Sequence, residues 1–164
     1  MTETNGKTGG ELAPRFENGG QMLIAGLSGR FGPESRDQIP ALWMRWGPKY
    51  FGRTPWQVNR KTYGVCWNMD DKGRLDYLAG VEVNSFEGSP AELTRMTIEP
   101  RRYAVFAHEG HISEITRSWM GVFDGWLPKS GRTLAAAPSF ECYDEQFDPA
   151  VAVGHVEIWV PIED

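Results

Sequence analysis

The stretch PSFECYDEQFD, residues 138–148, places a carboxylate among large apolar groups. Its centre, Phe140-Glu141-Cys142-Tyr143, reads as the middle of a β-strand. Aromatic residues favour strands, whereas Glu is depleted from them. Glu141 therefore either points at water on an open sheet face or is met by something cationic or reactive. Residues two apart on a strand share a face, so Glu141 and Tyr143 lie together, with Phe140 and Cys142 on the other side. One face is expected to meet the helices and the other the cleft or solvent; the Phe140/Cys142 side is the more apolar and is assigned to the core, which puts Glu141 and Tyr143 in a cleft. A buried carboxylate without a partner is costly and shifts towards its protonated form. A ligand cation offsets that cost, and surrounding rings add roughly 0.5–2 kcal/mol each by cation–π attraction. The same Glu141 is also a candidate general acid or base, with Tyr143 positioning a substrate. The bland alternative is a solvated strand glutamate, or one bonded to Tyr143.

Five further residues are candidates to line the cleft. Glu82 aligns with Trp159 when Val81-Glu82-Val83 is set against Ile158-Trp159-Val160. Both face away from the predicted helices, and they lie either across the cleft from each other or on an exposed sheet face. Trp67, Trp43 and Trp119 are weaker lining candidates; of these the helix tryptophans Trp43 and Trp119 more often fill a core, unless a place near the helix N-terminal end tips them into the cleft. Ligand binding is thus assigned to Glu141, Tyr143, Glu82, Trp159, Trp67, Trp43 and Trp119.

Other apparent motifs fail on spacing. In His108-Glu109-Gly110-His111 the histidines are three apart at the end of a predicted strand, not four apart on a helix. A catalytic zinc needs a third protein ligand, and His155 is the remaining histidine; no metal is expected. Gly26-Leu27-Ser28-Gly29 is not G-x-S-x-G. Gly26, Gly29 and Gly32 lack the Lys-Ser/Thr ending of a phosphate loop. Cys66 and Cys142 have no activating neighbour and read most simply as buried residues. No cofactor is expected.

The elements that hold these residues fall into two similar series. Residues 1–13 are polar and Gly-rich and read as a mobile tail; residues 14–164 form one domain of two halves, about 15–88 and 89–164. In the first half, PRFENGGQMLIAGLSGRF reads as strand, and ESRDQIPALWMRWGPKYF as a helix. Asp37 is a candidate cap for that helix, Pro40 suits its first turn, and Gly47-Pro48 is expected to end or kink it. KTYGVCWNM and RLDYLAGVEVN follow as a hairpin about Asp70-Asp71-Lys72-Gly73. In the second half, LTRMTIEPRRYAVFAHEG is a strand. HISEITRSWMGVFDGWLPKSG is a helix, with Ser113 as candidate cap and Leu127-Pro128 near its end. SFECYDEQF and VGHVEIWVPI are the last two strands. The order strand–helix–strand–strand therefore occurs twice, and YGVC echoes FECY as AGVEV echoes VEIWV. The expected fold is α+β: tandem βαββ units forming an antiparallel sheet, helices on one face, and a central cleft at the pseudo-two-fold, where pockets commonly lie.

Composition narrows the function. Seven Trp in 164 residues is a high count, and Trp is often used at binding surfaces. Net charge is −5 with no Lys/Arg stripe, which argues against direct nucleic-acid contact. Two cysteines make no disulfide framework. No signal peptide or membrane-spanning run is visible, so a reduced, cytoplasmic setting is expected.

RLDYLAGVEV, IEPRRYAVFAHEG, WLPKSGRTLAAAPSFECYDEQ and VEIWVPI together resemble the GyrI-like, or AraC-type effector-binding, domain family over about 14–164. The resemblance implies a tandem βαββ fold and an aromatic cleft with an acidic residue, which by position in Phe-Glu-x-Tyr is Glu141. It implies one of three roles. The first is a stand-alone protein that binds lipophilic, aromatic, cationic small molecules. The second is a hydrolase of cyclopropane-containing natural products, with Glu141 as acid/base. The third is a gyrase-inhibitor-like module that binds a protein partner. The binder is favoured, because hydrolysis demands added precision from the same residues. No motif specifies an oligomeric state.

Overall fold

The computed structural model describes residues 13–163; the tail expectation falls mainly on residues 1–12, outside the described residues. Each series opens with two strands rather than the single one expected. They are β1 (Arg15–Gly19) and β2 (Met22–Phe31), and later β5 (Thr94–Ile98) and β6 (Arg101–His111). Helix α1 (Ile39–Tyr50) and strands β3 (Thr62–Trp67) and β4 (Leu75–Val83) complete the first series. The second continues with α2 (Ile115–Met120), a π-helical turn (Gly121–Trp126) and α3 (Leu127–Ser130). A short β7 (Thr133–Leu134), β8 (Ser139–Asp148) and β9 (Val153–Glu163) end it.

All pairings are antiparallel, in the order β1-β6-β9-β8-β3-β4-β2-β5, with β7 beside β9. The two series meet where β3 pairs with β8. The short links force the sheet to curl. Only Gly20 and Gln21 join β1 to β2, a reach of about 11 Å. Six strand spacings separate those strands along the order, roughly 29 Å if the sheet were flat. Glu99 and Pro100 impose the same closure on β5 and β6.

The curl buries one face of the sheet against itself. Ile24, Tyr63, Val65, Leu78, Tyr103, Val105 and Phe140 pack there with no helix between them. The helices lie on the other face. Leu42, Trp46 and Tyr50, each four apart on α1, pack on Ala25, Tyr77, Ala79 and Val81. Val122, Ile115, Trp119, Phe123 and Trp126 pack on Ala104, Phe106, Ile158 and Val160. The cleft opens between the two helical layers, above β3 and β8.

Three local expectations change. Gly47-Pro48 does not end α1, which runs on to Tyr50; Pro48 falls in the last turn, four residues after the exposed Met44, so the carbonyl freed there can bond water. Asp37 makes no cap to α1. The second helix is entered through His111, whose Nδ1 accepts from the Ser113 N–H at 3.1 Å, so Ser113 is capped rather than capping.

Candidate functional site

Glu141 sits in the middle of β8, only 5% exposed, on the face that bears the helices. Three side chains donate to it. Tyr143 Oη donates to Oε1 at 2.7 Å, Tyr77 Oη to the same oxygen at 2.9 Å, and Trp119 Nε1 to Oε2 at 2.8 Å. Trp43 Nε1 donates to Tyr77 Oη at 3.0 Å, so the first helix reaches the carboxylate through a relay. Every donor is an uncharged aromatic group. Among the described residues, no ion pair includes Glu141.

Burial pushes the Glu141 carboxyl above the ordinary carboxylate range, and the three hydrogen bonds pull it partly back. Burial, reinforced by the negative charge of Glu141, pushes the hydroxyls of Tyr77 and Tyr143 well up, so both remain protonated donors. Cys66, nearby on β3, is likewise pushed up by burial and is no ready nucleophile.

The network needs a residue with no side chain. Gly64 of β3 pairs directly with Glu141. A Cβ at Gly64 would lie 2.1 Å from Tyr77 Oη and 2.7 Å from Glu141 Oε1. The Tyr77–Glu141 bond therefore passes over Gly64.

Around this centre opens a cleft of about 1970 Å³, lined by Trp43, Tyr77, Trp119, Phe123, Tyr143 and Phe147 among others. Its rings contact one another: Trp43 meets Tyr143 edge-on with centroids 5.4 Å apart, and Trp119 stacks on Phe123 at 5.7 Å. Trp67 reaches the rim from the end of β3, while its ring also packs with the cluster on the opposite face.

Glu82 and Trp159 are elsewhere. Both face away from the helices, as their alternation implies, but the cleft lies on the helix-bearing face. The expectation that core and helices share one face and the cleft takes the other is thus corrected. The curl of the sheet fills the Phe140/Cys142 face with side chains from the sheet itself. Trp159 stacks on Phe140 at 5.4 Å and donates from Nε1 to Glu157 at 3.0 Å. Glu82 is half-buried on that face; burial raises its carboxyl and Lys61 opposes the rise. Phe140 and Cys142 help line a separate cavity of about 260 Å³ there.

Tyr77 and Gly64 were missed by the sequence reading. A hydroxyl-bearing ring on the otherwise apolar Tyr77/Ala79/Val81/Val83 face was one available signal. The match of Gly64 to Glu141 in the YGVC/FECY echo was the other.

His108 makes no hydrogen bond to Glu141, although it acts electrostatically to lower that carboxyl. Its Nε2–H donates to the His111 carbonyl at 3.1 Å, and Nδ1 is hydrogen-bonded to the Ser118 hydroxyl at 2.8 Å. Among the described residues no three His, Cys, Asp or Glu side chains are placed to hold a metal ion. No helix among them is long and apolar enough to cross a membrane.

Comparison with known proteins agrees with this architecture. The probable transcriptional regulator YgiV of Escherichia coli K12 is 31% identical over 125 residues, covering 70% of this chain and 73% of that one. The transcriptional regulator BrlR of Pseudomonas aeruginosa is 29% identical over 133 residues, covering 80% of this chain; the chain spans about half of BrlR, 49%. The fold of SAV2435, solved bound to tetraphenylphosphonium, superposes with a TM-score of 0.73 at 19% identity, over 92% of this chain and 94% of that one. Residues 19–162 match the integron-associated effector binding protein family, Cass2. With its tandem βαββ sheet and a buried, aromatically bonded carboxylate in the cleft, the chain belongs to that family, within the GyrI-like effector-binding fold.

Proposed function

We propose that this protein binds lipophilic, aromatic cations in the cleft, with Glu141 as counter-charge and Trp43, Trp119, Tyr77 and Tyr143 as walls. The observation that carries this reading is the state of Glu141. It is buried, bonded only by neutral donors, and raised by burial. A delocalised cation supplies the missing charge and gives up little hydration on entry, and ring faces add cation–π attraction. SAV2435 in complex with tetraphenylphosphonium supports this ligand class by analogy of fold. Binding without turnover is favoured over hydrolysis because all three donors to Glu141 are used in holding the carboxylate.

The test is calorimetry with tetraphenylphosphonium and neutral triphenylphosphine oxide, on wild type and Glu141→Gln, with product analysis of every mixture. The expected result is cation binding that weakens in Glu141→Gln, while the neutral compound responds equally weakly to both. Equal cation affinity in the two proteins would remove the charge argument. Appearance of products would move the reading to an enzyme.

A further inference from the structure

The chain has six methionines, of which Met22, Met44, Met69, Met96 and Met120 are among the described residues. They divide by location. Met22 and Met96 are half-buried and pack on the face opposite the cleft. Met44, Met69 and Met120 are 74%, 59% and 56% exposed, and all three line the cleft. Met44 directly follows Trp43 on α1, and Met120 directly follows Trp119 on α2. The two helices thus present equivalent methionines beside the two tryptophans that serve the Glu141 network. Met69 adds a third from the turn after β3.

Leaving large apolar side chains in water at a cleft mouth forgoes the stabilisation of burial. A thioether chain repacks easily against different shapes, which suits an apolar rim that closes on a ligand. The same exposure makes these sulfurs the accessible two-electron reductants of the site.

We propose that Met44, Met69 and Met120 form an oxidation-sensitive rim, and that peroxide releases the ligand by converting them to sulfoxides. This rests on the lipophilic-cation reading of the cleft. In the reaction the thioether sulfur attacks one peroxide oxygen. The S–O bond forms as the O–O bond breaks, and sulfur loses two electrons. The proton on the transferred oxygen passes to the departing hydroxide, giving water. The product is a polar, chiral side chain where an apolar one stood, so the rim loses its attraction for hydrophobic rings. The cleft thiol Cys66 is a poor competitor, because burial holds it protonated.

The experiment titrates tetraphenylphosphonium into the 164-residue chain before and after hydrogen peroxide, with peptide mass spectrometry to locate the added oxygen. The quantity read is the ratio of Kd after to Kd before treatment, in wild type and in the Met44→Leu/Met69→Leu/Met120→Leu variant. Wild type is expected to gain oxygen at the three rim positions ahead of Met22 and Met96, and to lose affinity about tenfold or more. The triple variant is expected to give a ratio near one, whatever its starting affinity. Three confirmed sulfoxides with unchanged affinity overturn the proposal, as does an equal loss in the triple variant. If untreated wild type does not bind the cation at all, the cation-binding reading itself fails and this one falls with it; binding that ignores oxidation sinks only this one.

Discussion

The two halves of the molecule meet at β3 and β8, and there they differ by one carboxylate. Gly64 and Glu141 are equivalent in the YGVC/FECY echo, and they are also direct partners across the strand pair. The pseudo-two-fold therefore passes between them. The helices above are equivalent too, with Trp43 on α1 matching Trp119 on α2. Yet Trp119 donates to Glu141 directly, while Trp43, above the glycine half, donates to Tyr77, which donates to Glu141. Both tryptophans serve the single carboxylate. A second carboxylate at position 64 would stand beside the first in low dielectric, where two like charges cannot both stay ionised. The walls occur in both halves, but of the paired positions Gly64 and Glu141 only one carries a carboxylate. A site built this way suits a ligand with one delocalised positive charge.

The broadest effect, on stability and binding together, is expected from filling the empty half. Gly64→Ala puts a Cβ 2.1 Å from Tyr77 Oη, so the tyrosine must shift off Glu141. Overpacking of this kind costs ~1–3 kcal/mol, or a fall in Tm of roughly 2–12 °C for a domain of this size. Tetraphenylphosphonium binding should fall with it, measured by calorimetry below the new Tm. A Gly64→Ala protein with unchanged Tm and affinity would mean that Gly64 is not needed for the network.

Removing the charge comes next. Glu141→Gln is expected to weaken cation binding roughly 10- to 100-fold, from the ~1.5–3 kcal/mol of a charge-assisted contact. The ligand-free variant should be the more stable protein at pH 8, because it no longer buries a charge.

The pH dependence sharpens the same point. Glu141 has its folded pKa raised above the unfolded value. Its favourable contribution to stability is therefore complete below the ordinary carboxylate range and is lost as pH rises through the raised value. The gap in Tm between Glu141→Gln and wild type should open over that window and close on acidification. Cation affinity of wild type should move the opposite way, weakening as pH falls and Glu141 takes up its proton. A gap that does not change with pH would show that Glu141 does not titrate in that window.

The narrowest effects, on stability alone, separate the two tryptophans. Trp119→Phe removes a donor from the carboxylate itself and should cost ~1.5–3 kcal/mol, whereas Trp43→Phe removes a neutral bond to Tyr77 and should cost ~0.5–1.5 kcal/mol. Denaturant unfolding measures both. Equal losses would mean that the relay through Tyr77 counts as much as the direct bond.

Much of this was legible along the chain. Alternation placed Glu141 with Tyr143 and apart from Phe140 and Cys142, because side chains on a strand alternate. The twofold series of elements was readable from local pattern and echo, and so was the candidacy of Trp43 and Trp119. Alternation also put Glu82 and Trp159 on the face away from the helices. It did not say which face holds the cleft, since period two defines two sides without naming their neighbours. The ends of the helices were misjudged at Pro48 and Ser113, where side-chain and solvent partners outweighed local preference.

What the sequence determined by itself was the twofold series of strand and helix segments, the face shared by each pair of residues, and the presence of one misplaced carboxylate; it did not show that each opening strand is split in two. Those follow from interactions a few residues long. The tertiary structure decided where the cleft lies, that Trp159 and Glu82 stay out of it, and that Tyr77 and Gly64 belong to it. Those depend on the curl that two-residue links impose on a long sheet, and on contacts such as Tyr77 to Glu141 between residues 64 positions apart. Pairings that distant are fixed by closure of the whole sheet, which no local pattern encodes.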